Sequence, residues 1–181
     1  MTDSDMELRS KPSGYSYRVT ERIWAGEYPV WEWNPNMQVR QLRLYTDFGI
    51  TDFLDLTEVG EMPPYEALLP PQVRRYSFPI PNCGVPHDVR SVDRMFDRME
   101  GVLRNHPERR LYIHCHGGVG RTGMIVACGL ARQWDLCADD ALDEMRRRFA
   151  AHARSSWMSA PETEAQIDFV RAYAAYKRFR E

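Results

Sequence analysis

The sequence predicts an α/β domain, on three observations. Short strand-like runs bounded by Pro and Gly crowd the first half, and helical apolar stripes fill the second. The two meet where the apolar run LYI leads through a glycine cluster into the long apolar stretch TGMIVACGLARQW. A chain of 181 residues makes one domain with room for a substantial core.

Element by element, residues 1–14 are polar and read as a loose N-terminal segment, leaving 15–181 as the single domain. YRVTERIWAGEYP supplies one or two short strands ending in a turn at Pro29. PNMQVRQLRLYTDFGI has Pro35 at a helix start and Gly49 at its stop. ITDFLDLT is strand-like, and RRYSFPI is a second strand closed by Pro79 and Pro81. Beyond Asp88, Val89, Val92, Met95, Phe96, Met99, Val102 and Leu103 recur at helical spacing. LYIHC is a short buried strand, followed by the apolar helix in which Met124, Ile125 and Cys128 are core. Two further helices are expected near 138–152 and 161–179, with Pro161 suited to the first turn of the latter.

Composition narrows the function classes. Net charge is −2 and nothing interleaves aromatics with basic residues as an RNA-reading surface would. No run approaches the roughly 18 apolar residues of a membrane span, and the polar start has no apolar signal core. The cysteines at 83, 115, 128 and 137 have neither zinc spacing nor the density of a disulfide scaffold. Reduced thiols and a cytoplasmic setting are the expectation.

Residues 114–123, HCHGGVGRTG, admit three readings. GVGRTG matches the dinucleotide fingerprint G-x-G-x-x-G, and Asp135 lies near the distance of a ribose-binding acid. That fold needs further parallel strands, yet the 58 residues after Gly123 read as helices. A Walker loop would put Gly at position 115 and Lys at position 121, where this chain has Cys and Arg. The third reading, Cys-x5-Arg, accounts for every letter. A strand ending at Cys115 and a helix beginning near Arg121 bend the intervening residues into a semicircle. Gly117, Gly118 and Gly120, with His116 and Val119 between and before them, aim backbone N–H groups at one anion. The same positive helix end favours a nucleophilic thiolate at Cys115. Arg121 offers a planar fork to two phosphate oxygens, which Lys cannot do. Thr122 is placed to donate its hydroxyl to the sulfur, easing departure of the thiolate from a phosphocysteine. His114 is expected to orient the loop through backbone hydrogen bonds. The chemistry requires no metal and no cofactor.

HCHGGVGRTG resembles the HC-x5-R-[ST] signature of the cysteine-dependent protein tyrosine and dual-specificity phosphatases. WAGEYP, FLDLTE, FPIPNCGVP and APETEAQ also look like stations of the compact bacterial members, so the likeness covers roughly residues 22–170. It implies a parallel-centred sheet of four or five strands flanked by helices, with the phosphate loop at the sheet's carboxyl edge. It also implies two-step catalysis in which Cys115 takes the phosphoryl group and water releases it. The expected substrate is a phosphorylated protein or small phosphoester: phosphotyrosine, with phosphoserine and phosphothreonine as extensions.

One station departs from that pattern. Relatives carry an Asp general acid where this chain has Asn82, which cannot give up a proton. A positioned general acid is worth about 10²–10⁴ in rate. Asp88, six residues on, would substitute if the loop folds over, or would only cap the next helix. His87 is a weaker candidate. The remaining explanations are a leaving group that needs no proton, a phosphoprotein-binding protein with slow turnover, and an Asp→Asn change made to trap substrate. Phosphoanhydride cleavage, as at an RNA 5′ end, is a further alternative with such a leaving group. Gln166 resembles the glutamine that positions the hydrolytic water, and otherwise is an ordinary helix residue. Cys83, beside Asn82, is either an incidental thiol or a trap for oxidised Cys115. The His116 imidazole is a candidate substrate contact. Arg146, Arg147 and Arg148 read as a solvated helix face.

Overall fold

The computed structural model describes residues 10–179. Five strands form one sheet: β1 (Ser16–Arg18), β2 (Ile23–Gly26), β3 (Asp52–Asp55), β4 (Arg74–Ser77) and β5 (Leu111–His114). Their spatial order is β1-β2-β5-β3-β4, with β1 antiparallel to β2 and every other pairing parallel. The helices are α1 (Pro35–Asp47), α2 (Val89–Asn105), α3 (Gly120–Gln133), α4 (Ala138–Phe149) and α5 (Glu164–Arg178). The predicted α/β class and mostly parallel sheet are what the molecule has. Among the described residues no strand follows β5, so a dinucleotide fold lacks its second half.

Strand alternation sorts the core into two layers. Trp24, Phe53 and Tyr112 face α1, where they pack with Leu42, Tyr45 and Tyr65. Ala25, Leu54, Ile113 and Tyr76 face the opposite side, against Val92, Phe96, Met124, Ile125 and Leu142 of the other helices. The central strand β5 thus points Ile113 into the layer of Leu54 and Ile125, turns His114 into the aromatic layer, and delivers Cys115 to the same layer as Ile113. Helix α3 is buried along nearly its whole length, which explains its apolar composition. Truncating Ile125 to Ala there would cost about 2–5 kcal/mol.

Local chemistry sets the helix ends. Asn34 caps α1, accepting from Asn36 N–H at 2.9 Å, with Pro35 in the first turn. Gly49 at φ +99° ends it, in a region that disfavours a Cβ. Two expected boundaries move. Helix α4 stops at Phe149, short of residue 152, because His152 caps a separate 3₁₀ turn, Ala153–Ser156, through Arg154 N–H. Helix α5 begins at Glu164 rather than at Pro161. Thr163 and Gln166 form a reciprocal capping box there, which satisfies more helix-end donors than a first-turn proline would. The expected loose segment, residues 1–14, lies partly outside the described residues. Its last part is tied down: Lys11 Nζ donates to Ala151 O, and Ser16 Oγ donates to Ser13 O.

Candidate active site

The loop from Cys115 to Arg121 joins β5 to α3 at the carboxyl edge of the sheet, as expected. Its shape depends on Gly118, held at φ +73°. A Cβ there would lie 2.3 Å from the Gly26 carbonyl carbon and 2.5 Å from Glu27 N, so only glycine fits between the loop and β2. The loop is fastened from outside as well. Tyr28 N–H donates to His116 O at 2.9 Å, and Arg154 Nη1 donates to Gly117 O at 2.9 Å. Arg154 in turn meets Glu27 Oε2 at 3.3 Å and lies over the rings of Tyr15 and Trp31. Burial pushes the Glu27 carboxyl up to about 8, against the pull of Arg154.

Arg121 is buried and committed on one side. Its Nη1 donates to Glu61 Oε2 at 2.7 Å and to Ile80 O at 3.1 Å, and its Nη2 donates to Glu61 Oε1 at 2.5 Å. These bonds engage three of the five N–H groups of the guanidinium and leave the Nε–H and the second Nη2–H for the Cys115 sulfur and a bound oxyanion. Burial works against ionisation of Glu61, but the Arg121 hydrogen bonds, the Glu58 N–H bond and the Arg121 charge together outweigh it and hold the carboxyl below its ordinary value. The guanidinium also interacts with the Cys115 sulfur.

Beneath the loop, the fully buried His114 accepts from or donates to Tyr65 Oη at 2.7 Å. Its other ring nitrogen lies 3.8 Å from Asp55 Oδ1. Burial pushes the imidazole down to about 4. His114 was expected to orient the loop through backbone hydrogen bonds; its ring also bonds the Tyr65 side chain, because β5 turns it into the aromatic layer of Tyr28, Phe53 and Tyr65. Thr122 Oγ1 is buried and has no hydrogen-bond partner among the described residues.

A cavity of about 310 Å³ opens over the loop, lined by Asn82, Cys115, Arg121, Arg154 and Glu162 among others. Cys115 is buried at its base and His116 is exposed. His116 lies 6.2 Å, ring to ring, from Trp31. Cys83 shares the cavity wall, exposed and at φ +57°. Asp88 does not line it. Its Oδ1 accepts from Ser91 N–H at 2.7 Å as the cap of α2, and its Oδ2 meets His87 Nδ1 at 3.1 Å. The Ser91 bond, helped by His87, holds the Asp88 carboxyl below its ordinary value. Gln166 is fully buried: its Oε1 accepts from Glu162 N–H and Thr163 N–H, and its Nε2 donates to Gly84 O at 3.2 Å. It therefore ties the start of α5 to the loop that carries Asn82. The arginine run pairs with its own helix: Arg146 with Asp143, and Arg147 and Arg148 with Glu144. Spacing gave no sign of Glu61, Tyr65, Arg154 or Glu162, which come from two stretches of chain distant from the loop, 61–65 and 154–162.

The model of one protein family, the Swiss Army Knife protein DSP-PTPase phosphatase domain, matches residues 33–170. The chain belongs to that family. Among curated relatives of this DSP-PTPase domain is protein 197R of Invertebrate iridescent virus 6, named as a tyrosine phosphatase. It is 26% identical over 172 residues, covering 91% of this chain and 58% of the viral one. Protein 067L of Invertebrate iridescent virus 3, named likewise, is 31% identical over 130 residues, covering 70% of this chain and 50% of its own. The chain thus spans little more than half the length of these relatives. Among solved structures, Tk-PTP in its active form superposes with a TM-score of 0.70 at 22% identity, covering 89% of this chain and 97% of that one. PTPMT1 in complex with PI(5)P gives 0.67 at 15% identity, covering 92% and 98%. These structures share the fold. No helix among the described residues is long and apolar enough to cross a membrane.

Proposed function

We propose that this phosphatase domain hydrolyses phosphotyrosine, and secondarily phosphoserine or phosphothreonine, through a phosphocysteine on Cys115. The observation that carries the reading is the placement of Cys115 at the base of a cavity. It stands at the start of a glycine-braced loop, with a half-free guanidinium beside it. In the first step the Cys115 thiolate attacks phosphorus and the P–O bond to the leaving group breaks. In the second, water attacks phosphorus and the thiolate departs. Backbone N–H groups of residues 116–121 and the free edge of Arg121 hold the three equatorial oxygens through both steps. Trp31, beside His116, suits an aryl leaving group. The four thiols are free, which suits the cytoplasmic setting expected from the sequence.

The test is chemical. Iodoacetate should alkylate Cys115 before Cys83, Cys128 or Cys137, with inorganic phosphate protecting it. Cys115→Ser should abolish turnover while still binding phosphate or vanadate. Retained turnover in Cys115→Ser would end the reading. A second reading, a phosphoprotein-binding protein with little turnover, is favoured by one observation: an Asn, not an Asp, stands at position 82 on the cavity wall. Tight binding of a phosphopeptide with no measurable hydrolysis of any aryl phosphate would select it.

A further inference from the structure

Three glutamates approach the nucleophile loop, and two are spoken for. Glu61 is clamped by Arg121, and Glu27 faces Arg154 away from the lined cavity. The third, Glu162, differs in each respect. It is exposed and lines the cavity together with Cys115 and Arg121. Its carboxylate forms no ion pair or hydrogen bond among the described residues, although its backbone N–H is held by Gln166 at 3.0 Å. It also touches the loop directly. A Cβ on Gly120 would lie 2.5 Å from Glu162 Oε2, so the carboxylate occupies the space that the missing side chain leaves at the start of α3.

A bare carboxylate is a costly neighbour for an anion site. It repels the phosphoryl dianion that the loop is built to hold, and although Arg121 and Arg154 line the same cavity, neither forms an ion pair with it. A carboxyl at this point, on the wall of the cavity that holds the reacting group, is placed to exchange a proton with the departing oxygen. Among the described residues no other carboxyl lines the cavity: Asn82 has no acidic proton and Asp88 lies elsewhere, capping α2.

We propose that Glu162 is the proton donor of the first step and the proton acceptor of the second, in the role that Asn82 cannot fill. The proposal rests on the phosphocysteine reading above. As the thiolate of Cys115 bonds to phosphorus, the P–O bond breaks and the Glu162 proton passes to the departing oxygen, leaving a neutral phenol or alcohol. Water then attacks phosphorus while giving its proton to the Glu162 carboxylate. The S–P bond breaks, inorganic phosphate leaves, and Cys115 returns as thiolate with Glu162 protonated. The position is held from both sides. Gln166 fixes the Glu162 backbone and also binds Gly84 O, so the donor and the loop over the cavity move as one unit.

The experiment is a series of substituted phenyl phosphates differing in leaving-group pKa, read as kcat/KM. The unmodified protein should show a shallow dependence. Glu162→Gln, which keeps size and shape, should steepen it. Phenyl phosphate should slow by about 10²–10⁴-fold, the scale of a general acid, and a dinitrophenyl ester by less than about tenfold. Glu162→Asp should recover part of the phenyl phosphate rate, and Asp88→Asn should leave the slope unchanged. An unchanged slope in Glu162→Gln, or a steep one already in the unmodified protein, overturns the proposal while leaving the phosphatase reading intact. Hydrolysis of the dinitrophenyl ester by Cys115→Ser would instead overturn the reading on which it rests.

Discussion

Residues 115–121 and residues 81–84 face each other across one cavity, but they are held in very different ways. The first run is largely buried and braced from four directions, by Gly26, Tyr28, Glu61 and Arg154. Residues 81–83 are exposed, and among the described residues this run is secured by one turn bond, Gly84 N–H to Pro81 O at 2.8 Å, and by Gln166. The binding half must present several N–H groups to one point, so small displacements cost affinity and chemistry together. A proton donor needs only one group within reach of one atom. That role can be supplied from one loop or another without rebuilding the site, as the proposal for Glu162 requires.

If the binding half depends on geometry rather than charge, the largest effect after loss of the nucleophile should come from Arg121→Lys. Charge is kept, but an ammonium cannot both hold Glu61 in bidentate fashion and present a parallel pair of donors to phosphate. We expect kcat/KM to fall by about 10²–10³-fold, the scale of removing one positioned donor. A rate within a few-fold of the unmodified protein would show that point charge suffices and that the bracing is merely structural.

The exposed half should respond far less. With Glu162 supplying the proton, Asn82→Asp adds a second acid where one already works, and phenyl phosphate hydrolysis should change by less than about tenfold. A gain of about 10²–10⁴-fold would show that the site had lacked a donor altogether. That outcome would place the missing function at position 82 after all, and the contrast between the two halves would then be one of loss rather than transfer.

The same contrast separates what could be read from the sequence from what could not. Cys115, Arg121 and the three glycines lie within seven consecutive residues, and their chemistry is legible because a strand, a tight turn and a helix start are all local. The helices were legible for the same reason: the stripe from Val89 to Leu103 repeats at helical spacing in one stretch. Glu61 reaches the loop from one stretch of chain, and Arg154 and Glu162 from another that begins about ninety residues later. No spacing rule joins them, because the sheet order β1-β2-β5-β3-β4 brings them together only after folding. The pattern APETEAQ drew attention to Gln166, yet the fold buries that side chain in a capping box and leaves Glu162 facing the cavity. His114 was legible as part of the motif but not its partner, since Tyr65 lies in an irregular loop with no periodicity to report it.

The smallest expected effect concerns stability and its pH dependence, which should follow the groups beneath the binding half. Burial holds His114 and His152 neutral, each pushed down to about 4 from 6.5. Between those values the unfolded chain binds two protons that the folded chain refuses, so stability rises with pH through this window. Glu27 acts in the opposite sense. Its carboxyl is raised from 4.5 to about 8, so the folded chain keeps a proton that the unfolded chain has lost, and stability falls as pH rises through that range. From about pH 4.5 to 6.5 the two histidines outweigh the one glutamate by about one proton, about 1.4 kcal/mol per pH unit. From about 6.5 to 8 only Glu27 acts, and the slope reverses. The melting temperature should therefore peak near pH 6.5 and decline on both sides. Glu27→Gln should flatten the alkaline side while keeping the acid decline. Asp88, on the other half, has a lowered carboxyl, so its contribution is complete above its ordinary value of 3.8 and is lost only as pH falls further. Asp88→Asn should accordingly leave the shape of the profile above pH 4.5 unchanged. A melting temperature that is flat from pH 4.5 to 8, or a peak that moves in Asp88→Asn, would show that the buried groups under the nucleophile loop do not govern the acid response.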